Sequence, residues 1–336
     1  MSRPKPTLVR LCDMTAGQFA DFFVLLAEKT RGKTREGKPF FTCRFRDARR
    51  TATAMVWEDG GWFSVCERDW AEGEFYKIRG TYTESERYGP QIELQEIRPV
   101  MQADHERGFR AADIVESSRF EPAKMLAELK ELAEQNIADA PLRRLVATIL
   151  DRHAQALMNA PATQNRFYPF LGGLLEHTLS VTKTSLLLVD RYRDHFAELQ
   201  PPLNRDVVVA GAILHDIGRV LELDCTAVPQ PTVPGRLMGH ILLGRDLVRD
   251  TARDFTDIDP QLLQLLEHVI ITHLNLPEWG SPRLPLIPES LILHHADDLD
   301  AKLEMYVRCL MRDTATGPFT DRDPGLGRSL FKGRKV

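Results

Sequence analysis

The 336-residue sequence predicts a small antiparallel β-barrel followed by an all-α domain. Three observations predict it. Short alternating segments separated by turn signals fill the first hundred residues. Helical periodicity then runs to about residue 313. Eight of the ten histidines fall in that helical part, between His177 and His295. A chain of this length holds two domains, each with its own core. The expected organisation is a barrel over residues 1–100, a linker over 101–120, a helical domain over 121–315 and a flexible basic tail over 316–336.

Composition narrows the class. Hydrophobic content of 43% and charge of 27% are those of a soluble protein, and a net charge of -4 excludes a globally basic nucleic-acid binder while leaving local patches open. Cys12, Cys43, Cys66, Cys225 and Cys309 show no Cys-x-x-Cys spacing, which argues against a disulfide framework or a thiolate zinc site. Residues 1–6 hold no hydrophobic signal core, and no apolar run reaches membrane-spanning length. A cytoplasmic protein away from the membrane is expected.

In the barrel, residues 8–14 read as a first strand and residues 19–28 carry a dense apolar run. A basic stretch follows, Lys29, Arg31, Lys33, Arg35 and Lys38, around the turn Glu36-Gly37-Lys38-Pro39, and continues through Arg44, Arg46, Arg49 and Arg50. Phe41, Cys43 and Phe45, then Ala52, Ala54 and Val56, alternate with polar residues as half-buried strands do. Residues 76–82 and 91–95 repeat the alternation across the turn Tyr88-Gly89-Pro90. An OB-like barrel fits best. Such barrels bind single strands with a basic groove and aromatic platforms, and Lys33, Arg35, Lys38, Phe40, Arg44, Arg46 and Trp57 are the candidates here. The competing reading makes the aromatics core and the cations a solvated face.

Residues 99–120, with mixed charge and little periodicity, mark the boundary. Pro122 opens a helix to about residue 137, and Pro141 another to about residue 160. Val207-Val208-Val209-Ala210 leads into Gly211-Ala212-Ile213-Leu214-His215-Asp216-Ile217-Gly218-Arg219, apolar all round and therefore a buried helix. His215 and Asp216 at its end are costly to desolvate, and a metal ion suits neutral imidazole and carboxylate together. His177 lies beside the stripe Leu175, Leu179, Thr182, Leu186 and Val189, where a lone histidine is commonly a satisfied core residue. His240 lies within residues 236–244 with a glycine on either side, Gly239 and Gly244, permitting close helix approach; His273 ends an apolar helix, where a cap is the simpler role. Asp297 shares a helical face with Leu293 and Ala301, which calls for a strong partner, whereas Asp298 and Asp300 read as solvated.

The order His, His-Asp, His, His, Asp along successive helices resembles the HD superfamily of metal-dependent phosphohydrolases. The segments at 172–181 (Gly-Gly-Leu-Leu-Glu-His-Thr-Leu-Ser-Val), 215–218 (His-Asp-Ile-Gly), 239–241 (Gly-His-Ile) and 293–302 (Leu-His-His-Ala-Asp-Asp-Leu-Asp-Ala-Lys) are similar to those of the YhaM-type 3′→5′ exoribonucleases. That family also carries an OB-like domain ahead of its HD domain, so the resemblance spans about residues 8–313. Three departures stand out: His273 is followed by Leu274 rather than a second histidine, Arg219 replaces the lysine after His-Asp-Ile-Gly, and residues 166–170 replace a polar approach to Gly172-Gly173.

The resemblance implies that His177, His215, Asp216 and Asp297 hold one divalent ion, with Asp216 bridging to a second on His240 and His273. It implies manganese; the donor set also accommodates iron, cobalt or zinc. Two ions activate water for attack on phosphorus, so no protein nucleophile is needed. Asp216 and Arg219 are the catalytic candidates; Lys183 could be a further cation, although an exposed salt bridge is its simpler role, and Glu176 and His268 are expected to orient ligands. The expected activity is 3′→5′ hydrolysis of single-stranded RNA, or of DNA, to 5′ mononucleotides. Its rivals are a phosphohydrolase of small nucleotides and a non-catalytic nucleic-acid adaptor. A homo-oligomer is also expected.

Overall fold

The computed structural model describes residues 7–85, 88–224 and 229–333. The readings placed on residues 1–6, on Cys225 and on the last three residues of the tail lie outside them. The chain divides into two compact units, with the boundary in sequence between Ser117 and Ser118.

The first unit is a closed five-stranded barrel ordered β1-β2-β3-β5-β4. β1 (Phe19–Lys33) is long enough to serve two neighbours. Its first half pairs antiparallel with β4 (Phe75–Ser85), its second half with β2 (Pro39–Arg46), and the register shifts between Leu26 and Glu28 where the strand changes partner. β2 pairs with β3 (Thr51–Trp57), β4 with β5 (Gly89–Pro99), and a parallel pairing of Thr53 with Gln91 closes the barrel. The alternation in sequence becomes an inside and an outside: Phe22, Val24, Cys43, Phe45, Ala54, Ile78 and Tyr82 fill the interior. Helix α1 (Phe63–Asp69), between β3 and β4, adds Phe63 and Cys66 to that core. Five strands in this order, with a helix between the third and fourth, are the OB arrangement.

The expected strand at residues 8–14 is instead a 3-10 turn, Leu11–Asp13. Leu11 and Met14 are both buried, three residues apart, and a 3-10 turn puts i and i+3 on one side. Asp47 accepts from the Cys12 backbone N at 2.6 Å, and Arg50 donates to the carbonyls of Leu11 and Met14. After the barrel, helix α2 (Gln102–His105) is fixed by Asp104, which is buried and accepts from Arg98 Nη1 and Nη2 at 2.6 and 2.7 Å.

The second unit is helical: α3 (Pro122–Asn136), α4 (Ala140–Arg152), α5 (Ala154–Asn159), α6 (Gly173–His195), α7 (Arg205–Leu214), α8 (Arg219–Glu222), α9 (Val233–Ala252), α10 (Pro260–Thr272) and α11 (Pro288–Arg312). The helix expected to run unbroken to about residue 160 breaks at His153, so that Leu157 and Ala160 of the next turn reach the core. α7 is buried at every position from Val207 to Leu214, as its apolar circumference predicts. Leu129, Leu145, Ile149, Leu174 and Ile270, from four other helices, share its core; burying each side chain of this kind contributes about 1.5–3 kcal/mol. Among the described residues no helix is long and apolar enough to cross a membrane.

The expected flexible tail is, through residue 333, folded back. Phe319 pairs with Phe331 and Asp323 with Arg328, Leu330 is buried, and Lys332 bonds Asp313. Buried Leu330 and the Lys332–Asp313 ion pair supply the anchor that its composition conceals.

Candidate metal centre

Four helices converge on one point. α7 stops at Leu214 and delivers His215 and Asp216; α6 brings His177 from its first turns; α10 ends on His273; α11 contributes Asp297. The fifth approach requires glycine twice. Gly239 takes φ +70°, breaking α9 so that His240 starts a new helical run pointing inward. At Gly218 an added Cβ would lie 1.9 Å from the His240 carbonyl oxygen, so only glycine lets the chain after Asp216 touch α9.

The structure brings the six expected ligands together. His177, His215 and Asp216 form one buried triplet and Asp216, His240 and His273 a second, with the ligating atoms of each within 4.8 Å of one another. Asp297 Oδ1 lies 3.1 Å from His177 Nε2 and 3.9 Å from His215 Nε2. Asp216 Oδ1 lies 3.2 Å from His240 Nε2 and 3.7 Å from His273 Nε2.

The tautomers are set from behind. His215 Nδ1 donates to the Ala212 carbonyl at 2.9 Å and His273 Nδ1 to that of Ile270 at 2.7 Å. Each leaves its Nε2 lone pair facing the cluster, as a metal ligand requires. His177 Nδ1 lies 2.8 Å from Asp300 Oδ2, and Asp300 also accepts from Ser180 Oγ and, at 3.4 Å, Tyr168 OH. Asp216 Oδ1 and His240 Nε2 are buried without a hydrogen-bond partner. Unpaired buried acceptors are costly, and a cation satisfies them all at once. The residues therefore fit a divalent metal.

Electrostatics agree. Burial opposes the charge on Asp216, but Arg219, His240, His215 and His273 hold its carboxyl well below the usual range. Burial and neighbouring His215 push His273 down to about 4, so it is neutral at pH 7. Burial opposes a proton on His177 as well, yet Asp297 and Asp300 outweigh it and raise that imidazole to about 10. Without metal, His177 carries a proton that an incoming cation must displace. Burial likewise opposes the charge on Glu222, but His240 and Arg219 draw it down to about 2.

Asp216, His240, His273 and Asp297 of the cluster line a cleft of about 720 Å³ whose walls include Arg166, Phe167, Arg219, Arg236, Trp279, His294 and Lys302. Residues 174–302 match the HD domain family. Over 322 residues the chain is 30% identical to the 3′–5′ exoribonuclease YhaM of Listeria monocytogenes serotype 4b (strain CLIP80459), covering 96% of this chain and 97% of the relative. The chain belongs to the YhaM family of 3′–5′ exoribonucleases. YhaM of L. monocytogenes serovar 1/2a is also 30% identical over 96% of this chain and 97% of its own. Similar solved structures include a domain of replication protein A from Methanococcus maripaludis (TM-score 0.23, 7% identity, 28% of this chain and 96% of that one). Another is a small single-stranded DNA-binding protein from Streptomyces coelicolor (TM-score 0.21, 14% identity, 26% and 97%).

Other expectations for this YhaM-family chain are corrected. Glu176 accepts from Ser118 Oγ at 2.7 Å and ties down the start of the unit rather than a ligand. His268 Nε2 accepts from the Leu286 backbone N at 3.0 Å and holds the loop before α11. Lys183 takes its simpler role, an exposed salt bridge to Glu128. Asp300 and Glu222, read as solvated or not singled out at all, are the groups behind His177 and His240: Glu222 Oε1 accepts from the His240 backbone N at 3.1 Å and lies 3.4 Å from its Nδ1. Helical spacing held the signal, since Asp300 follows Asp297, Ser180 follows His177 and Glu222 follows Arg219 by three residues.

On the barrel, Lys33, Arg35 and Lys38 lie at the β1–β2 turn, all three exposed. Phe40 and Trp57 pair across β2 and β3 with ring centroids 5.3 Å apart, and Trp57 is 46% exposed. Arg44 is exposed but bonded to Glu28 at 3.2 Å. Arg46 is half-buried, and burial lowers its pKa. The outer face thus offers an aromatic pair beside a cationic turn, with Arg46 turned partly into the fold.

Proposed function

We propose that this protein is a metal-dependent 3′→5′ exoribonuclease that hydrolyses single-stranded RNA, with single-stranded DNA as a second substrate, to 5′ mononucleotides. The observation that carries the reading is the buried six-ligand cluster, four of whose residues line an open cleft, in a chain that aligns with nearly the whole length of the Listeria exoribonuclease. The two triplets sharing Asp216 support two ions, and imidazole with carboxylate supports manganese, with iron, cobalt or zinc as substitutes. When bound, such ions lower the pKa of water to about 7 and polarise the phosphodiester.

The chain's own residues do the rest. Nε2 of His177, His215, His240 and His273, with Asp216 and Asp297, would hold the metal. Asp300 and Glu222 orient two of those imidazoles from behind. Arg219 Nη1 donates to Glu222 at 2.6 Å and Nε lies 3.4 Å from Asp216, so its charge is already shared by two carboxylates. Arg219 therefore acts first by positioning Asp216 and only secondarily on a phosphate. Exposed Trp57, with half-buried Phe40 beside it, and the cations at the β1–β2 turn would capture unpaired bases and phosphates. A second copy of the chain is proposed as its partner in solution.

Digestion of a 5′-labelled single-stranded RNA with added manganese tests the reading, with a DNA strand alongside. A ladder shortening from the 3′ end, absent in Asp216→Ala, is expected. Intact strands under conditions where a small nucleotide is hydrolysed would overturn it.

A further inference from the structure

The cleft does not end at the metal ligands. A second hollow of about 820 Å³ adjoins it, and the two share Asn165, Arg166 and Met305 as common walls. Its far side is built by the end of α11 and the folded-back C-terminal segment, which bring Arg308, Arg312 and Arg322 to face Arg166. Four arginines line it against three aspartates. Two of those aspartates are engaged by the fold: Asp313 bonds Lys332 and accepts from the Asp321 backbone N, and Asp323 accepts from the Leu326 backbone N. Arg308 is held in place by Glu304 at 3.0 Å and by the Arg166 carbonyl. Arg322 is exposed.

We infer that this arginine-lined hollow is the bed for the strand upstream of the scissile bond, taking the phosphates of nucleotides 5′ to the one being removed. The inference rests on the exonuclease reading and assigns the C-terminal segment to substrate binding. An exonuclease acting from the 3′ end places one nucleotide at the metals and must lead the remaining backbone away. The continuous path out through Arg166 meets guanidinium groups, which grip phosphate oxygens in pairs. The hollow is built within the helical unit alone, so its contribution is read on short strands.

The test uses the full-length protein with manganese and compares kcat/KM on an RNA dinucleotide with that on a six-nucleotide strand. Wild type is expected to favour the longer strand at least tenfold. Arg322→Ala should reduce that ratio several-fold, Arg322→Glu should reduce it further, and Arg322→Lys should restore most of it. The salt dependence should report the same interaction: the slope of log kcat/KM against log salt for the longer strand becomes shallower by about 0.7 for each phosphate that an arginine no longer neutralises. No length preference in wild type, or a ratio and salt slope unchanged in both Arg322→Ala and Arg322→Glu, would overturn the strand bed while leaving the exonuclease standing. Wild type inactive on both RNAs refutes the function on which the inference rests, and the inference with it.

Discussion

Asp300 offers the sharpest perturbation of the metal centre, because its carboxylate touches no proposed metal position. Its Oδ2 lies 2.8 Å from His177 Nδ1, while Ser180 and Tyr168 donate to its other oxygen. Asp300→Ala removes the acceptor of that Nδ1–H, freeing the ring to rotate and reducing the basicity of Nε2. Losing such a partner behind a ligating histidine typically lowers metal affinity by about 10–100-fold, or about 1.4–2.7 kcal/mol. Asp300→Asn keeps an acceptor oxygen without the charge and should fall between Asp300→Ala and wild type. Competition against a chelator gives the affinity, and activity at saturating manganese tests whether the chemistry survives once the site is filled. A folded Asp300→Ala protein that binds manganese within twofold of wild type would refute this role for the carboxylate.

Four further outcomes follow from the geometry. Because metal-free His177 holds its proton up to about pH 10, binding releases that proton, and apparent manganese affinity should rise about tenfold per pH unit below that value; potentiometric or pH-dependent calorimetric titration reads it, and a flat profile contradicts it. Gly218→Ala should force α9 away from Asp216, costing about 1–3 kcal/mol or more, seen as a lower melting temperature and lost metal. In the barrel, Trp57→Ala should weaken binding of a single strand by about 1–3 kcal/mol, measured by fluorescence anisotropy with the melting profile unchanged. Arg98 holds buried Asp104 well below the usual carboxylate range, so this pair's contribution is present above about pH 4 and lost as pH falls towards the depressed folded value. Asp104→Asn should cost about 2 kcal/mol at pH 7 and flatten that acid limb, both measurable by denaturant titration.

The six ligands were legible in the sequence because a metal site fixes residue type as well as position: a histidine beside an apolar stripe or an aspartate among leucines has no cheaper explanation once several recur in order. The barrel was legible from alternation, since period two becomes inside and outside directly. What lay behind the ligands was harder. Asp300 and Glu222 sit on faces whose burial depends on which helix packs there, and a single helix looks amphipathic whether or not its polar face is covered. Glu176 and His268 were misplaced for the same reason, being adjacent in sequence to the cluster helices but facing Ser118 and Leu286. The 3-10 turn at Leu11 and the folded C-terminal segment depend on Asp47, Arg50, Asp313 and Lys332, partners too distant or too ordinary in sequence to announce themselves.

The most direct test of the two-metal exonuclease is activity against equivalents of manganese returned to metal-stripped protein, read as release of 5′ mononucleotide from single-stranded RNA. The expected result is no activity without metal, a rise that breaks at two ions per chain, and no recovery in Asp216→Ala at the same concentrations. RNA digestion that persists in the stripped protein, or that Asp216→Ala recovers in full, would contradict it.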